Sequence, residues 1–76
     1  MTGLTPRMVA GSRVIAKGRR IREVQRLVSR YGGAPALWVK KSSPRFEVGG
    51  LEYEYHWYEC PGIGQVEIKR KEVRER

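Results

Sequence analysis

His56 is the only histidine in the chain, and it stands in the middle of the run Glu52-Tyr53-Glu54-Tyr55-His56-Trp57-Tyr58-Glu59. Side chains two apart on a strand share a face. Leu51, Tyr53, Tyr55 and Trp57 therefore fall on one side, and Glu52, Glu54, His56 and Tyr58 on the other. The first side is large and apolar and is expected to be core. The second is polar and titratable. An imidazole changes charge near neutrality, which suits it to take or give a proton. The chemistry this allows is cleavage of RNA without a metal. The 2′-hydroxyl attacks the neighbouring phosphate, a base takes its proton, an acid protonates the leaving 5′-oxygen, and cations stabilise the phosphoryl oxygens. With one histidine, the second proton carrier has to be Glu, Tyr or Lys. Tyr58, Glu67, Lys69 and the Lys40-Lys41-Ser42 segment supply those types on adjacent stretches. An ordinary half-buried strand with a decorated outer face shows the same alternation, so both readings stand at this point.

Other chemistries fit less well. The chain has no Asp and no Asn. Nucleases that hold Mg²⁺ do so with clustered carboxylates, often Asp, and Glu52 with Glu54 is a weak cluster. A structural zinc site needs about four Cys/His ligands, and the chain offers Cys60 and His56. No metal and no cofactor are expected. Ser42 or Ser43 with His56 lacks an orienting Asp and a Gly-x-Ser-x-Gly elbow. Cys60 with His56 is a conceivable thiol pair, but a loop cysteine beside Pro61 reads as incidental. Pro61-Gly62-Ile63-Gly64 follows no parallel strand and opens no helix, so it is not a phosphate loop. Tyr53, Tyr55 and Trp57 offer a base-stacking platform, but on the apolar face core is the preferred use.

The elements that must position these residues belong to one small domain, because 76 residues allow one thin core and no more. The single cysteine excludes an internal disulfide. No apolar run approaches the roughly 18 residues of a transmembrane helix, and Met8-Val9-Ala10 is short for a signal peptide; a soluble chain without membrane insertion is expected. The net charge is +8, and it is unevenly placed. Residues 1–30 hold eight basic side chains against Glu23 alone, whereas residues 31–76 hold eight against seven. Such a field attracts polyanions, nucleic acid first. Seven of the first eight are arginines, whose planar fork binds two phosphate oxygens at once.

In chain order, residues 1–11 read as a flexible arm and residues 12–76 as a single domain. Ser12 to Lys17 is a short strand or a lead into the helix. Residues 19–31 carry Ile21, Val24, Leu27, Val28 and Tyr31 at helical spacing. Arg19, Arg22, Arg26 and Arg30 line another face, either as an RNA-binding row or as a solvated one. Gly32-Gly33 stops the helix. Leu37 to Lys41, Arg45 to Val48, the run around His56, and Gln65 to about Val73 are strands, with Val66 and Ile68 expected on the core face of the last. Cross-strand partners share a face, so Trp57 should oppose Val66 or Ile68. The first register sets His56 opposite Glu67 and Glu54 opposite Lys69. The second sets His56 opposite Lys69 and Glu54 opposite Lys71. Charge pairing favours the first. The expected fold is α+β: one basic amphipathic helix packed on a three- to four-stranded twisted antiparallel sheet.

From Arg22 to Lys71 a series of short patterns follows in order: Arg-Leu-Val-Ser-Arg-Tyr-Gly-Gly (26–33), Trp-Val-Lys-Lys-Ser-Ser (38–43), His-Trp-Tyr-Glu (56–59) and Gly-Gln-Val-Glu-Ile-Lys (64–69). This series resembles the small domains at the C-terminal tips of bacterial polymorphic toxins. Many of those are compact helix-plus-sheet ribonucleases of the barnase, EndoU, colicin and RelE-like group. The resemblance implies a toxin that cuts RNA with His56, Tyr58, Lys40, Lys41 and Lys69, with Glu67 within reach. Ser42 joins the arginines as an RNA contact. It also implies secretion as part of a larger protein, action in the cytoplasm of a target cell, and an acidic immunity protein or antitoxin as partner. The same charge would serve a nucleic-acid-binding module without catalysis, or a basic domain that meets an acidic protein.

Overall fold

The computed structural model describes residues 3–74. Thr5 accepts a hydrogen bond from the Met8 N–H at 3.2 Å, and Pro6 fits the first turn, so Pro6–Ala10 forms a short helix, α1. The stretch expected to be a flexible arm thus holds one capped helix; its first two residues lie outside the described ones. Strand β1, Arg13–Lys17, follows. At Gly18 the backbone turns left-handed (φ +58°), and its N–H donates to the Trp38 carbonyl at 2.9 Å. A 3₁₀ turn, Gly18–Arg20, and an extended Ile21 come next, so helix α2 is only Val24–Tyr31. The continuous helix expected over 19–31 is therefore cut in two. Its apolar stripe survives the cut: Ile21, Val24 and Leu27 are buried, and Val28 and Tyr31 pack at the edge.

Gly32 (φ +98°) and Gly33 (φ +77°) end α2 as expected, and a 3₁₀ turn, Pro35–Leu37, leads into the sheet. Its further strands are β2 (Val39–Ser42), β3 (Phe46–Val48), β4 (Leu51–Cys60) and β5 (Gly64–Glu72). All pair antiparallel. β4 is the long central strand. β2 pairs with its second half and β3 with its first, on the same edge, while β5 runs along the opposite edge. Five strands thus occupy four positions, one strand more than the sheet expected from sequence. β1 closes the β2 side. The pairing also continues one residue beyond β5, with Val73 donating to the Glu52 carbonyl at 2.8 Å.

The β4–β5 register follows neither expectation throughout. His56 opposes Lys69 and Glu54 opposes Lys71, which is the register that charge pairing disfavoured. Beyond Trp57 the pairing slips by one, so that Tyr58 opposes Val66. Glu67 and Ile68 together face Trp57, which makes a β-bulge. Glu67 there has φ +54°, a left-handed value rare outside glycine.

The helix also packs on the face opposite to the one expected. The core under α2 is Ile21, Val24, Leu27, Trp38 and Cys60, with Tyr58, Ile63 and Val66 against it. Tyr58 and Cys60 alternate with Trp57, so the helix covers the His56 side of β4. Tyr55 and Trp57 are buried on the other side, where Phe46 stacks on Tyr55 at 5.0 Å between ring centroids. Ile68, expected in the core with Val66, is 47% exposed, because the bulge turns the two residues to opposite faces.

Trp38 is fully buried, and its Nε1–H donates to the Gly32 carbonyl at 3.0 Å. That contact brings the helix end so close to the sheet that a Cβ on Gly33 would lie 2.9 Å from Cys60 Sγ and 3.3 Å from Ile63 Cδ1. A left-handed backbone costs an ordinary residue roughly 1–2 kcal/mol, and overpacking adds roughly 1–3 kcal/mol. Gly33→Ala is expected to lower the unfolding free energy by about 2–5 kcal/mol in urea titration, whereas the same change at exposed Gly62, which has open space around it, should cost only the roughly 1–2 kcal/mol of backbone strain.

Candidate functional site

Because α2 has only eight residues, it covers one end of its sheet face and leaves the other end open. The pairings define two rows across that face. One is Ala16, Lys40, Tyr58 and Val66, beside the core; the next is Arg13, Ser42, His56 and Lys69. Where the rows meet the start of the helix, Glu23, Lys40, His56, Tyr58, Glu67 and Lys69 line a cleft of about 100 Å³. Of the six residues predicted as catalytic, five lie in this cleft. Lys41 does not. Successive strand residues point to opposite faces, and its Nζ meets Glu59 at 3.3 Å on the side of Trp57.

His56 is about one-fifth exposed, and its Nε2 lies 3.1 Å from Glu54 Oε1. Glu54 is nearly buried. It also accepts the Ser42 hydroxyl at 3.1 Å, and Arg13 and Arg45 flank it at 3.5 and 3.7 Å. Burial pushes its pKa up, but the hydrogen bonds from His56 and Ser42 and the Arg13 charge outweigh burial and hold the carboxyl below its ordinary range. An ionised carboxylate only accepts hydrogen bonds. Nε2 of His56 must therefore carry the proton, which leaves the lone pair of the neutral ring on Nδ1. Ser42, predicted to contact RNA, has no exposed surface. Its hydroxyl serves Glu54 and the Ser43 carbonyl instead.

Glu67 stands on the bulge and reaches across to α2. Arg26 grips it with Nη1 and Nη2, both at 2.8 Å, and the Tyr31 hydroxyl donates to it at 3.1 Å. The hydrogen bonds from Arg26 bring its pKa down to about 2. It stays a carboxylate through the neutral range and is no proton carrier there. Tyr58 is shifted the other way: burial, then the Glu23 charge, raise its phenol above the ordinary value. It remains a neutral O–H donor. Lys40 lies over its ring, 5.7 Å from the centroid.

The arginine row predicted from residues 19–31 is divided by the break in the helix. Arg19 stands on the 3₁₀ turn and is exposed. Arg22 shares a second cleft, of about 310 Å³, with Arg20, Lys40 and Tyr58. Arg26 is engaged by both Glu67 and Glu23, which holds Glu23 below the ordinary carboxylate range as well. Arg30 lies 5.6 Å from the Tyr31 ring and lines an open groove of about 530 Å³ with Arg26, Glu67 and Lys69. Sequence reasoning missed Glu54 as the partner of His56, although a spacing of two on a strand is the signal for a shared face. It also missed Arg20. Cys60, weighed as a thiol partner for His56, is 1% exposed in the core.

Among the described residues, no helix is long and apolar enough to cross a membrane. Nor does any group of three His, Cys, Asp or Glu side chains come together there in a way that could hold a metal ion. Fold and site together define a small α+β domain whose short helix half-covers an antiparallel sheet and leaves a histidine, backed by a buried carboxylate, in a cleft lined by lysines. No family model, no curated protein and no solved structure matches the chain.

The Glu67 carboxyl has a lower pKa in the folded chain, about 2, than its ordinary 4.5. Its contribution to stability is therefore complete above about pH 4.5 and is lost as the pH falls through about 2. Glu67→Gln should be less stable than the parent by about 1 kcal/mol at pH 7. Melting curves of the two proteins should converge as the pH is lowered; a gap that stays constant down to pH 2 would show that the ion pair contributes nothing.

Proposed function

We propose that this chain is a metal-independent endoribonuclease, the toxic tip of a larger secreted protein, and that it cleaves RNA by attack of the 2′-hydroxyl on the adjacent phosphate. The observation that carries this reading is the hydrogen bond between buried Glu54 and His56, which lines a cleft together with Lys40, Lys69 and Tyr58. Glu54 fixes the ring and its tautomer, so His56 Nδ1 is the base that takes the 2′-hydroxyl proton. The new bond joins O2′ to phosphorus, and the bond from phosphorus to O5′ breaks. Tyr58, kept as a neutral phenol, gives its proton to O5′. Lys40 and Lys69 stabilise the charge that gathers on the phosphoryl oxygens. The products are a 2′,3′-cyclic phosphate and a 5′-hydroxyl, and transfer of the proton from His56 back to Tyr58 restores the site. Lys41, Ser42 and Glu67 lie outside this scheme and act on the fold. An enzyme of this kind endangers its producer, which is why an acidic immunity protein or antitoxin is the partner that fits.

Total RNA incubated with the protein in EDTA should be cut to fragments that end in cyclic phosphate. His56→Ala should slow the cleavage roughly 10²–10⁴-fold, the usual worth of a positioned acid or base. If parent and variant both leave RNA intact while both retard it in a gel, the chain is a binding module and not an enzyme. Binding that does not weaken between about 50 and 200 mM salt would remove the nucleic-acid reading altogether.

A further inference from the structure

The cleft at His56 does not end at Lys40 and Tyr58. Both residues also line the second cleft, with Arg20, Arg22, Ala16 and Ile21, and Glu23 stands at the junction. Arg20 and Arg22 are exposed and carry no ion pair among the described residues. The two acids of these clefts, Glu23 and Glu67, are both bound by Arg26. The two clefts adjoin, with a histidine in one, two unpaired guanidinium groups in the other, and Lys40, Tyr58 and Glu23 shared between them. Guanidinium forks suit phosphate oxygens. Glu23, held by Arg26, stands between the histidine cleft and the arginine cleft. The break in the helix makes the second cleft: a continuous helix over residues 19–31 would set Arg20 and Arg22 200° apart at 100° per residue. The extended Ile21 instead lets both line one cleft.

We propose that the Arg20–Arg22 cleft is a second phosphate subsite, which holds a flanking phosphate of the same single RNA strand whose scissile phosphate lies at His56. This inference rests on the RNA reading of the site but not on cleavage. It assigns binding of a longer strand to Arg20, Arg22 and Lys40, and it leaves Arg26 to the fold.

The test uses fluorescein-labelled hexanucleotide and dinucleotide with 2′-deoxyribose at every position, so that neither can be cut. Affinity is read by anisotropy at constant salt for the parent, for Arg20→Gln/Arg22→Gln, and for Arg7→Gln/Arg74→Gln. The last pair removes the same charge from residues that line neither cleft. The hexanucleotide should bind the parent more tightly than the dinucleotide does, and Arg20→Gln/Arg22→Gln should shrink that ratio roughly tenfold, about 1.4 kcal/mol. Arg7→Gln/Arg74→Gln should leave the ratio unchanged. Equal losses on both lengths, or equal effects of the two double variants, would overturn the subsite in favour of diffuse attraction. A hexanucleotide duplex that competes as well as the single strand would overturn it too. Should the parent fail to cut the all-ribose hexanucleotide while the length effect persists, the cleavage reading falls and the subsite stands.

Discussion

The grip of Arg26 on Glu67 is the interaction on which the sheet's two functions depend. Strict alternation along β5 would place Lys71, Lys69, Glu67 and Gln65 on one face and Val66 with Ile68 on the other. The cleft at His56 is lined by Lys69 and Lys71, and the core holds Val66 under α2. One face can have both only if the strand gains a residue between them, and the bulge at Glu67-Ile68 supplies it. A left-handed glutamate costs roughly 1–2 kcal/mol. Two charge-assisted hydrogen bonds from Arg26 and one from Tyr31 offset that cost. The helix thereby fixes the register of a strand it does not pair with. The strain lies next to the cleft, where bulges often serve to re-aim a side chain.

That dependence explains what the sequence could and could not reveal. The apolar stripe from Ile21 to Tyr31, the glycine stop after it and the strand around His56 follow from short-range rules, and each is where those rules place it. The break in the helix depends on Gly18 donating to the Trp38 carbonyl, twenty residues away. The register slip depends on Arg26 and Glu67, 41 residues apart. Neither leaves a mark on local periodicity. Pairing charges across the hairpin failed for the same reason: Glu67 had a stronger partner on the helix. Lys41 is different. The alternation that set His56 and Trp57 on opposite faces also separates Lys40 from Lys41, so their division was legible without coordinates.

The choice of face was open for a physical reason. β4 carries bulky side chains on both sides, with Tyr55 and Trp57 on one and Tyr58 and Cys60 on the other. Hydrophobicity alone favours the first side. The pairings decide for the second, because Ala16 and Val66 share it and give α2 an apolar bed. The consequence is that His56 stands at the rim of the helix-covered face, a fifth exposed, instead of on an open sheet surface. Burial next to it would be costly for Glu54 by itself. The carboxylate is tolerated because Ser42, His56, Arg13 and Arg45 surround it, which is also what orders the ring.

The same division runs through the cations. A net charge of +8 reads from the sequence as one basic surface. In the fold, Arg13 and Arg45 are matched to Glu54, Arg26 to Glu67 and Glu23, and Lys41 to Glu59. Lys40, Lys69, Lys71, Arg20 and Arg22 carry no ion pair among the described residues, and all five line the two joined clefts. Paired charges tie strands and helix together; five of the unpaired ones gather beside the start of α2, and Arg7, Lys17, Arg19, Arg30 and Arg70 stand outside the two clefts. Glu23 and Glu67, the acids among these cations, are already held by Arg26, so the lysines and arginines there repel one another, and a small domain has little stability to spare for that. An incoming polyanion relieves the repulsion, so the partition itself favours a ligand that carries several negative charges along its length over one that carries a single charge.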